Sequence, residues 1–184
     1  AFANDVQNGD IGIVGAAGTG IQEAAVAVER MGGGISHAIG TGGRDLHKEI
    51  GGISMKNAIA LLEHDPGTKV ILVISKPPAP EVEAEIRRML EGLSKPCSVV
   101  FLGDKRKGRI ENVVYSANLT EAAREAVRQS GRQVEDYRSV EAPAALMENY
   151  KIVGLYSGGT LASEASFLIS EALGIRKEER REGF

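Results

Sequence analysis

Short apolar runs alternate along the chain with longer stretches whose apolar positions recur every three or four residues. The runs at 11–14, 35–39, 69–74 and 98–102 read as strands, and the stretches at 21–31, 55–64, 81–93 and 119–130 read as amphipathic helices. The segment KVILVI, 69–74, has no polar alternation after Lys69, the pattern of a strand covered on both faces. Punctuation agrees with this division. The glycines 32–34 suit a left-handed helix end, HDPG closes the helix at 64, and Pro77, Pro78 and Pro80 stand where a first helical turn tolerates them. Thr120 lies near the start of the 119–130 helix and Gly131 at its end. Residues 113–116 read as a short extended piece, and 103–110 as a basic loop.

Strand and helix alternate at the spacing of βαβ units, which predicts an α/β fold. The expected architecture is a flavodoxin-like parallel sheet with helices on both faces and the first strand central. Residues 132–150 are polar and irregular, with a short helical stretch around 142–147, and read as a connector. Residues 152–173 repeat the sequence strand, glycine turn, helix, and the tail RKEERREGF is charged.

Bulk properties narrow the partners. Hydrophobic residues make up 42% of the 184, enough for a packed core, and the net charge of −3 gives no basic excess for nucleic acid or a membrane surface. No apolar run reaches the length of a transmembrane span. The single cysteine, Cys97, excludes an internal disulfide and a cysteine-built metal site; it follows Pro96 at the head of an apolar run and reads as a buried, inert thiol. The expected compartment is the cytosol. The chain opens AFANDV without an initiator methionine, as a piece of a longer protein would.

The loops leaving the strands carry the candidate chemistry, because ligands of such sheets sit at the carboxyl ends of the strands. The first is Gly15-Ala-Ala-Gly-Thr-Gly20. Small residues let a ligand approach the backbone, and the following helix offers unpaired amides at Gly18, Thr19 and Gly20. It is neither a P-loop nor a dinucleotide fingerprint, since the lysine and the third glycine are missing. The second is Gly40-Thr-Gly-Gly-Arg-Asp45: Gly42 and Gly43 can form an amide nest, and Arg44 can fork onto a carboxylate or phosphate. Asp45 either holds Arg44 or caps the loop. His47, beside Asp45 and Glu49, does not complete a helical pair of metal ligands, so no metal is expected. The third loop, 103–109, packs Lys105, Arg106, Lys107 and Arg109 together; it is either a solvated charge run or an anion trap. The fourth, Tyr156-Ser-Gly-Gly-Thr160, repeats the first: Gly18-Thr19 stands as far from Glu23-Ala24 as Gly159-Thr160 from Glu164-Ala165. Gly158, Gly159 and Thr160 join the anion-binding candidates on that ground, and the duplication predicts two modules whose helix starts share a ligand. No residue reads as a nucleophile.

The run GDIGIVGAAGTGIQEA resembles the opening of the ligase module in the alpha subunit of succinyl-CoA synthetase, and AIGTGGRD, LLEHDPGTKVILVI and SKPCSVVFLGDKRKGR resemble the pieces that follow it. GTGGRDL and GLYSGGTL resemble the FdrA branch of that superfamily most. The resemblance covers residues 9–174 and implies a ligase-type domain over 1–131, a connector at 132–151, the strand and helix opening a second ligase-like module at 152–174, and a tail at 175–184. It implies that the CoA-binding domain preceding the ligase module is lacking. In the synthetases a histidine after the basic loop relays phosphate; Arg109 stands at that position, and an arginine cannot carry a phosphoryl group. Lys76 and prolines replace the glutamate that orients that histidine. The function implied is acyl or carbamoyl transfer involving small carboxylate or phosphate anions, with an oxamate carbamoyltransferase of purine breakdown as one form. A CoA ligase and a non-catalytic binding module are the alternatives. The resemblance allows coenzyme A in the full-length protein and implies no cofactor in this piece, which alone is expected to be inactive. The expected partner is a second ligase-like module or another copy of the chain.

Overall fold

The computed structural model describes residues 4–104, 106–135 and 153–174. Six strands form one sheet: β1 (Asn8–Gly15), β2 (Ile35–Gly40), β3 (Val70–Ser75), β4 (Cys97–Phe101), β5 (Gly108–Ile110) and β6 (Val113–Tyr115), in the order β2-β1-β3-β4-β6-β5. All neighbours are parallel except β5 and β6, which pair antiparallel. The first strand lies between β2 and β3, as the flavodoxin-like expectation required. Five helices accompany the sheet: α1 (Gly18–Arg30), α2 (Ile53–His64), α3 (Pro80–Glu91), α4 (Leu119–Gln129) and α5 (Gly159–Leu173).

The two-sided burial read from KVILVI is literal. Every residue of β3 is buried; Val70, Leu72 and Ile74 face α1 and α4, while Ile71 and Val73 face α2 and α3. Each such side chain contributes about 1.5–3 kcal/mol on burial. On one face Ile21, Ala24 and Val28 of α1 meet Ala122, Ala123 and Ala126 of α4; the small residues let the two helices share the space over the strands. Cys97 lies wholly buried in the other layer, and burial pushes its thiol up to about 12.

Local signals set the helix ends. Gly32 takes φ +84° just past α1, the left-handed position the glycine run predicted. Asn118, rather than Thr120, caps α4: its side-chain oxygen accepts the Glu121 N–H at 2.8 Å, while Glu121 reaches back to the Ala117 N–H at 3.0 Å. Three elements differ from the sequence expectation. The end of the basic loop is strand β5, wholly exposed and paired in the sheet with β6. The loop at 40–54 contains a short 3₁₀ turn, Gly43–Leu46. The strand expected from residue 152 does not form over 153–157, which has no regular structure, although helix α5 follows on schedule. The expected helical stretch at 142–147, most of the connector and the tail at 175–184 lie outside the described residues.

Candidate functional site

A cavity of about 690 Å³ opens at the carboxyl ends of β1 and β3. That is within the range of small-molecule sites. Ala16 and Ala17, which lead into α1, form one wall. Gly159 and Thr160, the first residues of α5, form another. The two repeated turns are in direct contact. A Cβ placed on Gly158 would lie 2.5 Å from the Thr19 methyl, and one on Gly20 would lie 2.9 Å from the Thr160 methyl. Glycine at both positions therefore lets the two helix starts meet. Neither helix has a side chain capping its N-terminus: Ala17 and Gly158 occupy the cap positions. The first-turn amides are thus left for solvent or a ligand, with the positive dipole end behind them. Thr19 is turned onto Gly158 rather than into the cavity; Thr160 is buried and lines it.

The 3₁₀ turn and the loop after β3 complete the enclosure. Gly43, Leu46, His47, Lys48 and Glu49 face Ser75, Lys76 and Pro77–Ala79 around the cavity. The turn is anchored by Asp45, whose buried carboxylate accepts the Ser54 and Met55 N–H groups, each at 2.8 Å. Of the two roles open to Asp45 it takes capping, here of α2, and has no bond to Arg44. Gly42 enters the turn at φ +83°, and Arg44 is exposed on its surface, away from the cavity lining.

The basic loop has partners of its own. Arg109 pairs with Glu125 at 2.9 Å, Lys107 with Glu171 of α5 at 3.5 Å, and the Arg106 guanidinium lies 5.7 Å from the Tyr115 ring centre. Neither Arg106 nor Arg109 lines the cavity, and Lys105 lies outside the described residues. The loop is pinned from below by Arg87, a buried cation between the Phe101 and Tyr115 rings that binds Glu83 at 2.7 Å and also Asp104. Asp104 in turn accepts the Arg106 N–H. The structure therefore brings together Gly18–Gly20, Gly158–Thr160 and Gly43, and separates them from the loop cations. Lys76, which stands where the synthetases place a glutamate, supplies charge to the cavity.

Helix α5 is fastened along its length. Phe167 packs on Gly103, where φ is +88° and a Cβ would sit 2.3 Å from the ring. Glu164 accepts the Leu119 N–H at 2.6 Å, serving the start of α4. Burial raises the Glu164 carboxyl above its ordinary value, partly offset by that bond and reinforced by Glu23, its counterpart in α1. The two repeated glutamates thus share one neighbourhood, as the two threonine turns do.

The donors present fit an anionic group. The α5 amides and the Lys76 ammonium suit phosphate or carboxylate oxygens, and Ala16, Leu46 and Pro77 offer apolar surface beside them.

Comparison with known proteins places this geometry. Residues 6–103 match the family model described as CoA binding domain. The chain is 42% identical over 184 aligned positions to the uncharacterized protein YahF of Escherichia coli (strain K12), covering 94% of this chain and 36% of that protein. It is 30% identical over 148 positions to the alpha subunit of the ADP-forming succinate–CoA ligase of Aquifex aeolicus, 77% of this chain and 46% of the relative. The alpha subunit of malate–CoA ligase of Methylorubrum extorquens shares 37% over 89 positions, 48% of this chain and 28% of the relative. The chain spans less than half the length of each of these relatives. The match over 6–103 corrects the expectation that a CoA-binding domain is lacking. With its mostly parallel sheet and its kinship to CoA-ligase alpha subunits, the chain belongs to the CoA binding domain family.

Proposed function

We propose that the cavity between the two helix starts holds the anionic end of a small carboxylic acid or its phosphate, and that the chain is a module of acyl or carbamoyl transfer. The observation that carries this reading is the convergence of two uncapped helix N-termini beside Lys76, whose ammonium has no partner among the described residues. Such donors stabilise an oxyanion or a leaving phosphate without moving. Gly159, Thr160 and Lys76 would hold a phosphate of coenzyme A, which supplies the thiol that accepts an acyl group. Arg109 stands where the synthetases resemble this chain but carry a relay histidine, and its ion pair with Glu125 favours a module that binds rather than relays phosphate. Within the family the chain is read as FdrA-like, with oxamate as one acceptor of the carbamoyl group. A ligase domain ending at 131 and a second module opening at 152 make up this arrangement, in a cytoplasmic protein whose partner is a second ligase-like module or another copy.

Support for a partner comes from the exposed apolar residues Val153, Leu155, Tyr156, Leu168 and Leu173. Among the described residues no helix is long and apolar enough to cross a membrane.

Thermal unfolding of the full chain tests the reading. Phosphate, succinate, oxamate, carbamoyl phosphate and coenzyme A are compared. A bound ligand at a hundred times its dissociation constant raises Tm by about 5–10 °C. Lys76→Gln removes most of that rise. No rise with any of the five, or an equal rise in the variant, defeats it.

A further inference from the structure

The sheet has two edges, and they are built differently. β5, at one end, has three residues, carries Arg109, and is flanked by Lys107 and by Glu111 at φ 52°. Short length, charge and a bent backbone keep an edge from accepting another strand. β2, at the other end, has none of these over its last four residues. His37, Ala38, Ile39 and Gly40 pair in regular register with Gly12 to Gly15, and the irregularity of β2 is confined to its start. These four include no lysine, arginine or proline, and His37, Ala38 and Gly40 are exposed. Among the described residues no strand lies beyond β2.

The free backbone groups of this edge follow from one bond. The Thr41 N–H donates to the Gly15 carbonyl at 2.9 Å, so Thr41 and, two residues back, Ile39 face β1. Ala38 and Gly40 therefore turn their N–H and C=O groups outward. Antiparallel pairing with an identical strand, centred on Ala38, lets each Ala38 N–H donate to the Ala38 carbonyl of the other copy. Charge complements this direction. At the amino end of β2 the Asp65 carboxylate lies 3.3 Å from His37 Nδ1. Past the carboxyl end, the one charged residue in 40–44 is Arg44, exposed and without a partner among the described residues. Antiparallel order sets the basic end of each copy against the acidic end of the other. Leu61 of α2, 66% exposed, lies on the flank opposite Lys56 and Glu63, which bond Glu85 of α3 and Ser94 after it. A two-fold axis normal to the sheet keeps both copies of α2 on one face, with Leu61 toward the joint.

We propose that β2 is a dimerisation edge, through which two copies of the chain join antiparallel into one continuous sheet. This gives the copy-to-copy partnership its surface; the anion cavity and residues 153–173 take no part in it.

The test is sedimentation of the full chain over a concentration series, with circular dichroism to show that each variant folds. A dimer is expected. Ala38→Pro deletes the outward N–H and leaves the bonds to β1, a change that edge strands tolerate. It removes two symmetric hydrogen bonds and raises the dimer dissociation constant about tenfold or more. Ala38→Lys keeps the backbone donor, sets two ammonium groups against each other and weakens the dimer severalfold. Arg44→Glu weakens it by a smaller factor. With Ala38→Cys, mild oxidation joins the copies, because paired Cα atoms about 5.5 Å apart are within disulfide reach. The buried Cys97 does not compete, and Ile53→Cys, at an exposed site on α2, gives no such product. A monomer at every concentration overturns the proposal. So does a dimer that survives Ala38→Pro and Ala38→Lys and is not joined through Ala38→Cys. Neither result bears on anion binding in the cavity.

Discussion

The two glycine-threonine turns are near copies in sequence and start helices at the same point, yet among the described residues only one is preceded by a strand. Before the first, Ile11 to Gly15 are buried between β2 and β3. Before the second, Val153 and Leu155 are 79% and 94% exposed. The helix start is a local event: small residues, a Gly-Thr pair and an amphipathic run suffice. A strand is not local, because its hydrogen bonds and both faces must be supplied by others. The second copy has the sequence of a strand and no neighbour among the described residues to pair with.

Four substitutions probe that asymmetry. The largest effect is expected at Gly15, where a Cβ would lie 2.8 Å from Ile21 and 2.9 Å from the Ile74 carbonyl. Gly15→Val costs about 3 kcal/mol in urea unfolding through overpacking. The matching change in the second copy, Tyr156→Val, stays within about 0.5 kcal/mol because that residue is half exposed and its ring lies over the exposed Gly154. Equal costs would erase the distinction between the copies.

A middle effect is expected at Gly103. Gly103→Ala forces a left-handed backbone on alanine and drives its methyl into Phe167, at about 2 kcal/mol. Amides of residues 159–173 then exchange faster with deuterium while those of β1 and β3 are unchanged. Uniform acceleration through the sheet would show that α5 is part of one cooperative unit with it.

The smallest effect concerns Glu164. Its raised carboxyl gives stability that is complete below the ordinary value of 4.5 and is lost as pH climbs through the folded value. Wild type therefore loses stability relative to Glu164→Gln as pH rises from about 4.5, by under about 1 kcal/mol after solvent screening. A difference that is flat with pH would mean burial does not lift the Glu164 carboxyl above its ordinary value.

The sheet and its helices were legible because the periodicity encodes burial directly: KVILVI could only be a strand covered twice, and glycines 32–34 could only end a helix. The two helix starts were legible for the same local reason. What the chain did not disclose was which loops meet. Lys105, Arg106 and Arg109 looked like the charge of the site because they follow a buried strand. Arg109 and Arg106 are instead engaged by Glu125 and the Tyr115 ring, on the helix and strand that follow the loop. That His47 and Lys76 line one cavity with the start of α5 could not be read locally, since it depends on the 3₁₀ turn that Asp45 anchors. Loop partners are a property of tertiary contact, and a single sequence records only one side of each.

Cys97 has a consequence of a practical kind. A thiol sealed under α2 and α3, with its proton held tightly, does not react with alkylating reagents while the sheet is shut. Since it is the chain's single sulfhydryl, each modification event marks one molecule that has opened through its centre. The protein thus carries a built-in clock for the breathing of its innermost layer, readable without any added label.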